Sequence, residues 1–297
     1  MAHPAVPRAL APRLAACGIA CVLVAACGGS QPKPQSPPPQ SAAVEANRRA
    51  ETSLRYGDLD NAARGYREAL RISQSLEDPD GIAANAINLS IVYQRLGRNE
   101  EARAALAPVL DHAKLKFAPA RLAQAALRLS LLDLDERRYR SALEWADRAE
   151  SYCARSCALS AAIQNVKAQL ALEAEQLDAA RNAARAALEA SRSAGDRPEE
   201  ANALRLLGIA AMRAGDADTA LAQLNAALAI DRDLAMPRKI YLDLVGLGQA
   251  SALRGERDAA RTYFERALAV AEADRDTRAS TEAKAFIEGL SRSRAAQ

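Results

Sequence analysis

Cys153 and Cys157 lie four residues apart near the middle of the chain, a spacing at which two thiols could form a local disulfide. On a helix, side chains at this spacing have Cβ atoms about 5–6 Å apart, whereas a disulfide requires about 3.8 Å. A bond would therefore require a non-helical loop, which residues 151–157 could provide; the alternative is two reduced thiols packed near a helix end. We expect no metal site here, because no further cysteine or histidine is nearby.

Other side chains capable of catalysis do not form a recognisable constellation. His112 is the one histidine outside the N-terminal segment, and its position late in a predicted helix suits a cation that stabilises the helix dipole. The sequence contains no phosphate-binding glycine loop and no cluster with zinc-ligand spacing. The acidic pairs Glu100–Glu101 and Glu199–Glu200 start predicted helices, where negative charge is favourable. We therefore expect no enzymatic activity, no metal and no cofactor.

Residues 1–26 have the features of a secretory signal. Two arginines precede an uncharged stretch of thirteen residues, Leu14 to Ala26, which is too short to span a bilayer. The stretch ends in Leu-Val-Ala-Ala directly before Cys27. This ending resembles the bacterial lipobox, which implies that Cys27 becomes lipid-modified and N-terminal. The alternatives are an ordinary cleaved signal or a short buried helix.

Two other cysteines are weaker candidates for lipidation. Cys17 follows Arg13 without an apolar core before it, and the stretch before Cys21 does not begin with an apolar residue. Cys27 is followed by Gly28 rather than Asp, which under the sorting rule implied by the resemblance favours the outer membrane. Residues 27–41 then form the predicted tether: their prolines and lack of large apolar side chains indicate a semi-extended segment reaching up to roughly 40 Å.

A recurrence with a period of about 40 residues occupies most of the remaining chain. An alanine follows a helix-breaking position by five residues in six places, and these alanines are spaced 40, 40, 38, 40 and 40 residues apart: Ala62, Ala102, Ala142, Ala180, Ala220 and Ala260. A small residue lies seven positions before each break and a residue that is larger in most units lies nine positions after it. A recurrence of this kind predicts stacked helix–turn–helix units whose small residues lie where the two helices cross.

Prolines support the same unit boundaries. Four of the recurring alanines are followed, 17 or 18 residues later, by a proline: Pro79, Pro119, Pro198 and Pro237. Proline belongs between helices rather than inside them. Pro108 falls inside a predicted second helix, where we expect a kink or an early end. The third and fourth units have Arg137 and Glu175 at the glycine position of the turn, and their junction contains the cysteine pair.

The repeat resembles the tetratricopeptide repeat, most clearly over 88–102 and 207–227. The resemblance implies an all-α, right-handed α-solenoid of six helix–turn–helix repeats over 42–273, with a capping helix and tail over 274–297. It also implies that the first helix of each unit lines a concave, peptide-binding face. We expect the groove side chains to be Asn88, Gln94, Arg95, Arg128, Asn165, Gln169, Arg205, Arg213 and Gln249. Amides can pair with a peptide backbone, and arginine can bind carboxylates.

The balance of charge also limits the function. Removal of residues 1–26, which carry two arginines and no acid, lowers the formal net charge from +3 to +1, so nucleic-acid binding is not expected. We expect a non-enzymatic scaffold anchored by lipid to the periplasmic face of the outer membrane, with protein or peptide partners in its groove. Two alternatives are a nutrient- or glycan-binding lipoprotein, disfavoured by a single tryptophan, and a cytosolic peptide-sensing regulator.

Overall fold

The computed structural model describes the backbone of residues 39–111, 114–153 and 157–295, and the side chains from 41 to 291 with the same two gaps. The predicted signal peptide, Cys27, most of the predicted tether and His112 lie outside the described residues. The first helix begins at Pro39, three residues before the start that the sequence predicts. Proline is favoured at the first position of a helix because its missing N–H would be unpaired there.

Over the described ranges, all of the regular secondary structure is helical, with fourteen helices and no strand. Their bounds are α1 (Pro39–Arg55), α2 (Leu59–Ser75), α3 (Pro79–Arg95), α4 (Asn99–Ala104), α5 (Ala107–Leu110), α6 (Pro119–Asp135), α7 (Tyr139–Cys153), α8 (Ser160–Glu173), α9 (Leu177–Ala194), α10 (Arg197–Arg213), α11 (Ala217–Asp233), α12 (Pro237–Leu253), α13 (Arg257–Ala273) and α14 (Thr277–Ala295).

Consecutive helices pack as pairs, and each pair packs on the next. The first helices of the six units are α1, α3, α6, α8, α10 and α12, and α14 follows the last pair. The predicted solenoid of six helical repeats plus a C-terminal helix is thus confirmed. In the second unit, α4 ends at Ala104 and Pro108 lies in the short α5, so the predicted interruption of this second helix is also confirmed.

The turn inside each repeat has one backbone conformation, with or without glycine. Gly57, Gly97, Gly215 and Gly255 have φ between 72° and 86°, and Arg137 and Glu175 take φ of 58° and 57° at the equivalent positions. In each case the next residue donates its N–H to a carbonyl five residues earlier, as Arg138 does to Asp133. This hydrogen bond closes a Schellman-type helix end. Replacing glycine by Arg137 and Glu175 in the third and fourth units therefore raises the backbone strain of the turn but leaves its conformation unchanged.

The helix crossings are built from complementary residue sizes. Ala50, Ser90, Ser130, Ala168, Gly208 and Gly248, the small residues of the six first helices, are all buried. A Cβ atom added to Gly208 would lie 2.7 Å from Leu224 Cγ, and one added to Gly248 would lie 2.7 Å from Phe264 Cδ1. These distances are well below the 3.5–4.0 Å of a normal carbon–carbon contact. Each glycine therefore makes room for the large side chain of its partner helix.

Helix α14 covers the end of the last repeat. Ala279 and Ala283 are buried, and the ring of Phe286 stacks on Phe264 of α13 with centroids 4.9 Å apart. This packing covers apolar surface that the final repeat would otherwise expose. Among the described helices, none combines the length and the apolar character needed to span a bilayer.

Candidate functional site

First helices line a large cavity of the described region. Its volume is about 420 Å³, and its walls come from α6, α8, α10 and α12, with Leu224 of α11 behind them. A second cavity of about 340 Å³ lies between α3 and α6, and Leu159 also contributes to its lining. Leu127 and Leu131 of α6 line both cavities. The two cavities therefore share a wall, and together they follow the first helices of the second to the sixth unit.

Seven of the nine predicted groove residues line these cavities. The larger cavity contains Asn165, Gln169, Arg205, Arg213 and Gln249, and the smaller one contains Asn88 and Arg128. Gln94 lines neither of the two but accepts a hydrogen bond from Arg128 and donates one to Asp135. Arg95 is exposed and is in neither lining.

The side chain of Arg128 is fixed by hydrogen bonds within the protein. Its guanidinium donates to the Ser90 hydroxyl at 3.3 Å, to the Ser90 carbonyl at 3.2 Å and to Gln94. Burial lowers the pKa of Arg128 to about 10, and Asp135 opposes this shift. Arg128 therefore stays charged at neutral pH but has few donors left, so it shapes the small cavity more than it contacts an occupant.

Arg205 joins three helices beneath the large cavity. Its Nε donates to Asp243 Oδ1 at 2.6 Å and its Nη2 contacts Asp231, and all three side chains are buried. Burial raises the pKa of Asp243, and the contact with Arg205 opposes this rise. Removing one partner of such a cluster would leave a buried charge uncompensated. Arg205 is thus a structural residue of the cavity wall, and its guanidinium is not free to bind a carboxylate as the sequence suggested.

A hydrogen-bonded chain of polar side chains crosses the cavity where α10 and α12 begin. Asn165 donates to the Glu199 carboxylate at 2.7 Å, and Asn202 donates to the same oxygen at 3.1 Å. Lys239 donates to Asn202 Oδ1 at 3.0 Å. The Oδ1 atom of Asn165 is buried and has no hydrogen-bond partner in the described structure. The amide of Asn202 thus bridges a carboxylate and an ammonium group that form no ion pair with each other.

The opposite end of the cavity, where α8 and α10 end, has a similar arrangement. Arg213 donates to the carbonyl of Leu172, and Glu173 accepts a hydrogen bond from Tyr139 at 3.0 Å. Gln169 and Gln249 also lie in the lining, and neither side chain forms a hydrogen bond with the described residues. Each end of the cavity therefore offers one carboxylate and one cation, with the Asn165 Oδ1 atom at the first end and the amides of Gln169 and Gln249 at the second without hydrogen-bond partners among the described residues.

Lys239, Glu199 and Leu242 are cavity residues that the sequence analysis missed. Lys239 lies two residues after the proline that starts its helix, and Arg121, which lines the smaller cavity, has the same position in α6. Burial lowers the pKa of Lys239, with a smaller contribution from Arg205. Gly81 and Glu200 occupy the same position after Pro79 and Pro198, so this position alone would not have predicted a groove cation.

Cys153 and Cys157 form a disulfide in the structure, with Cα atoms 5.3 Å apart. Helix α7 ends at Cys153, and residues 157–159 are not helical, as a bond at this spacing requires. The backbone N–H of Leu159 donates to Cys157 Sγ at 3.3 Å, and Leu159 lines the smaller cavity. The disulfide therefore positions one wall residue of the groove. No group of three or more potential metal ligands occurs in the part of the chain that the structure describes.

Paired helices stacked in series, with a groove along the first helix of each pair, place this chain among the α-solenoid repeat proteins. A family model of the tetratricopeptide repeat matches residues 41–114 and 159–233, which together make up about half of the chain. The chain belongs to the tetratricopeptide repeat family. The second matched segment begins at the fourth unit, although that unit lacks the turn glycine.

Solved structures with the same fold cover most of the chain. A Rap protein complexed with Competence and Sporulation Factor is 16% identical, with a TM-score of 0.62 over 85% of this chain and 71% of that one. PilW, a type IV pilus biogenesis factor, is 14% identical, with a TM-score of 0.56 over 81% of this chain and 97% of that one.

The APC/C hetero-tetramer Cut9–Hcn1 is 15% identical, with a TM-score of 0.66 over 84% of this chain and 43% of that one. No curated protein matches the chain in sequence. At these identities the similarity establishes a shared fold.

Proposed function

We propose that this protein is a non-enzymatic scaffold, anchored by a lipid on Cys27 to the periplasmic face of the outer membrane, which holds a protein partner in its groove. The observation that carries the proposal is the pair of adjoining cavities along five successive first helices. A concave surface shared by several repeats suits an elongated polypeptide, because each repeat contributes only one or two contacts.

The chemistry of the groove supports a polypeptide occupant. Apolar side chains form its floor, and Gln169 and Gln249 keep both donors and acceptors unused. An amide can bind a peptide N–H and a peptide carbonyl, whatever side chains the peptide carries. Tetratricopeptide folds are generally interaction scaffolds, and the cavity shows no nucleophile–base pair that would indicate catalysis.

For the pathway, we propose an assembly factor or adaptor for envelope machinery, such as pilus, secretin or cell-wall complexes. PilW, which shares the fold, is a type IV pilus biogenesis factor, and this chain covers 97% of its length. The resemblance of the N-terminal segment to a lipoprotein signal supports this proposal, because a groove in the periplasm could reach such machinery.

The anchoring part is tested by replacing Cys27. The Cys27→Ser variant should lose lipid labelling and move from the membrane to the soluble fraction. Cys21→Ser is the matched control, since Cys21 lies in the segment that we expect to be removed, and it should behave as the wild type. Unchanged membrane fractionation of Cys27→Ser would defeat the anchoring proposal.

The groove is tested by site-specific photo-cross-linking in cells. A photoreactive residue at Gln169 or Gln249 should capture a discrete partner protein, because both positions line the cavity. The control position is Arg185, an exposed residue of α9 outside the cavity lining. Capture of the same proteins from all three positions, or of none from the groove, would count against the scaffold function.

A further inference from the structure

At the end of the larger cavity where α10 and α12 begin, four polar side chains hold one another in place. Asn202 Oδ1 accepts a hydrogen bond from Lys239 at 3.0 Å and another from Arg205 at 2.9 Å, and Asn202 Nδ2 donates to Glu199 Oε2 at 3.1 Å. Asn165 donates to the same Glu199 oxygen at 2.7 Å. The charges on either side of Asn202 therefore fix the orientation of its amide. We call Asn165, Glu199, Asn202 and Lys239 the polar corner of the cavity.

Two members of the polar corner keep unused hydrogen-bonding groups. Glu199 Oε1 accepts no hydrogen bond from the described residues, and Lys239 uses one of its three N–H donors. Asn165 Oδ1, in the same cluster, is buried without a partner. By contrast, each guanidinium nitrogen of Arg205 already has an acceptor on Asn202, Asp231 or Asp243. The polar corner therefore lacks donors beside Glu199 and an acceptor beside Lys239.

The gap between Glu199 and Lys239 has the width of an amide group. The Asn202 amide spans it by donating to the carboxylate and accepting from the ammonium group, which form no ion pair with each other. A second group that spans the gap must likewise donate at one end and accept at the other. A carboxylate would pair with Lys239 but face Glu199, and a cation would pair with Glu199 but face Lys239. The gap therefore favours an uncharged amide over a charged group.

Apolar side chains adjoin the polar corner. Leu206 follows Asn202 by four residues on α10 and Leu242 follows Lys239 by three on α12, so each shares a helix face with a corner residue. Both leucines line the cavity, and Leu242 is 38% exposed. They leave apolar surface that the methylene groups of a ligand side chain can cover. The corner and its surroundings thus suit a short apolar stem that ends in an amide.

Resting on the proposed function, we propose that the polar corner binds the carboxamide of a glutamine or asparagine side chain of the partner polypeptide. The carboxamide oxygen accepts from Lys239 Nζ and its NH₂ group donates to Glu199 Oε1, so that the ligand amide lies beside that of Asn202 and repeats its two hydrogen bonds. A side-chain carboxamide has two N–H groups and a backbone amide has one. The side chain therefore better meets the shortage of donors beside Glu199.

The test begins with a phage-displayed library of random peptides selected on the full-length protein. Enriched peptides should share glutamine or asparagine at one aligned position. Binding of the most enriched peptide is then measured by fluorescence anisotropy, together with two peptides in which that residue is replaced by the corresponding acid or by an apolar residue of similar size. The parent peptide should bind about tenfold more tightly than either, because each replacement leaves at least one end of the gap without its hydrogen bond.

A nearly isosteric variant, Glu199→Gln, tests the assignment of the corner. The glutamine oxygen can still accept from Asn165 and Asn202, but its NH₂ group presents donors where Glu199 Oε1 was an acceptor. Both ends of the gap then donate, so the acid peptide should bind more tightly than the parent peptide. A merely structural role for Glu199 would weaken both peptides alike. Glu200→Gln is the matched control, because Glu200 is the next residue of α10 and lies outside the cavity lining, and it should keep the wild-type order.

Several outcomes would overturn the carboxamide site. They are enriched peptides without a carboxamide at an aligned position, the absence of any enriched peptide, equal binding of the acid and parent peptides, or an unchanged order in Glu199→Gln. These outcomes leave the scaffold function in place if a photoreactive residue at Gln169 or Gln249 still captures a partner. Failure to capture any partner from those two positions would reject the scaffold function itself.

Discussion

Gly248 should be a position where added helix propensity lowers stability. Replacing a helical glycine by alanine ordinarily stabilises a helix by about 1 kcal/mol. At Gly248 the new Cβ would lie 2.7 Å from Phe264 Cδ1 and 2.8 Å from Phe264 Cζ. Phe264 Cε1 would lie closer still, so the ring would have to retreat by roughly 1 Å to restore a contact of about 3.5 Å.

The ring has little room for this retreat. Phe264 is only 3% exposed, and its ring stacks on that of Phe286 with an interplanar angle of 13°. Overpacking of a filled core costs about 1–3 kcal/mol. The net change for Gly248→Ala is therefore a loss of up to about 2 kcal/mol, once the gain in helix propensity of about 1 kcal/mol is subtracted.

Gly289 of α14 provides the matched control. An added Cβ there would meet no atom within 4 Å, so Gly289→Ala should stabilise the protein by up to about 1 kcal/mol. The assay is urea unfolding followed by circular dichroism, with hydrogen exchange of α13 and α14 as a local readout, since end repeats of a solenoid can open separately.

A second variant, made at Phe264, tests whether the contact between residues 248 and 264 causes the effect. The third unit has Ser130 and Ala146 at the two positions, so a side chain with a Cβ atom is accommodated where its partner is small. In a Phe264→Ala protein, Gly248→Ala should therefore lose most of its destabilising effect. The size-complementarity argument fails if Gly248→Ala raises stability as Gly289→Ala does, or if its effect is the same in both backgrounds.

Three further outcomes follow from the turns, the disulfide and the buried charges. Arg137→Gly and Glu175→Gly should each stabilise by up to about 1 kcal/mol in urea unfolding, because φ of 58° and 57° strains a residue with a Cβ atom; a loss of stability would contradict this. Cys153→Ser should cost about 2 kcal/mol under oxidising conditions and nothing under reducing ones, given the four-residue separation of its bond. Burial raises the pKa of Asp243 from 3.8 to about 7, so folding takes up a proton between these two pH values. The free energy of unfolding should therefore fall as the pH rises through this range, by up to about 1.4 kcal/mol per pH unit. Asp243→Asn should flatten this slope, and an unchanged slope would refute the assignment.

The architecture was largely predictable because it depends on patterns within single repeats. A proline at the start of a helix acts through its own ring and its missing N–H, so Pro79, Pro119, Pro198 and Pro237 marked the starts of α3, α6, α10 and α12 correctly. Pro108 marked the interruption of the second helix in its unit for the same reason. Alternation of small and large residues across each helix pair is likewise a local property of one unit.

Turn conformation was less predictable from residue type. Glycine at four of the turns indicated the left-handed conformation, but Arg137 and Glu175 adopt it too. Their backbone is fixed by helix pairing in the third and fourth units, which outweighs the local preference of an L-residue. The third and fourth units therefore differ from the other units in the disulfide between α7 and α8, and the two turns without glycine keep the common turn conformation.

The sequence by itself determined the period of the repeat, the number of units and the helices that face the groove, because each of these follows from spacing along one chain. Only the tertiary structure decided which polar groove residues are free to bind. Arg205 is 26 residues from Asp231 and 38 from Asp243, and packing of α10, α11 and α12 brings all three together in a buried cluster. Lys239 and Gln249, on the same groove, keep unused donors because no carboxylate among the described residues of the neighbouring repeats pairs with them. The free energy of a buried charge depends on every group around it, and those groups come from different repeats.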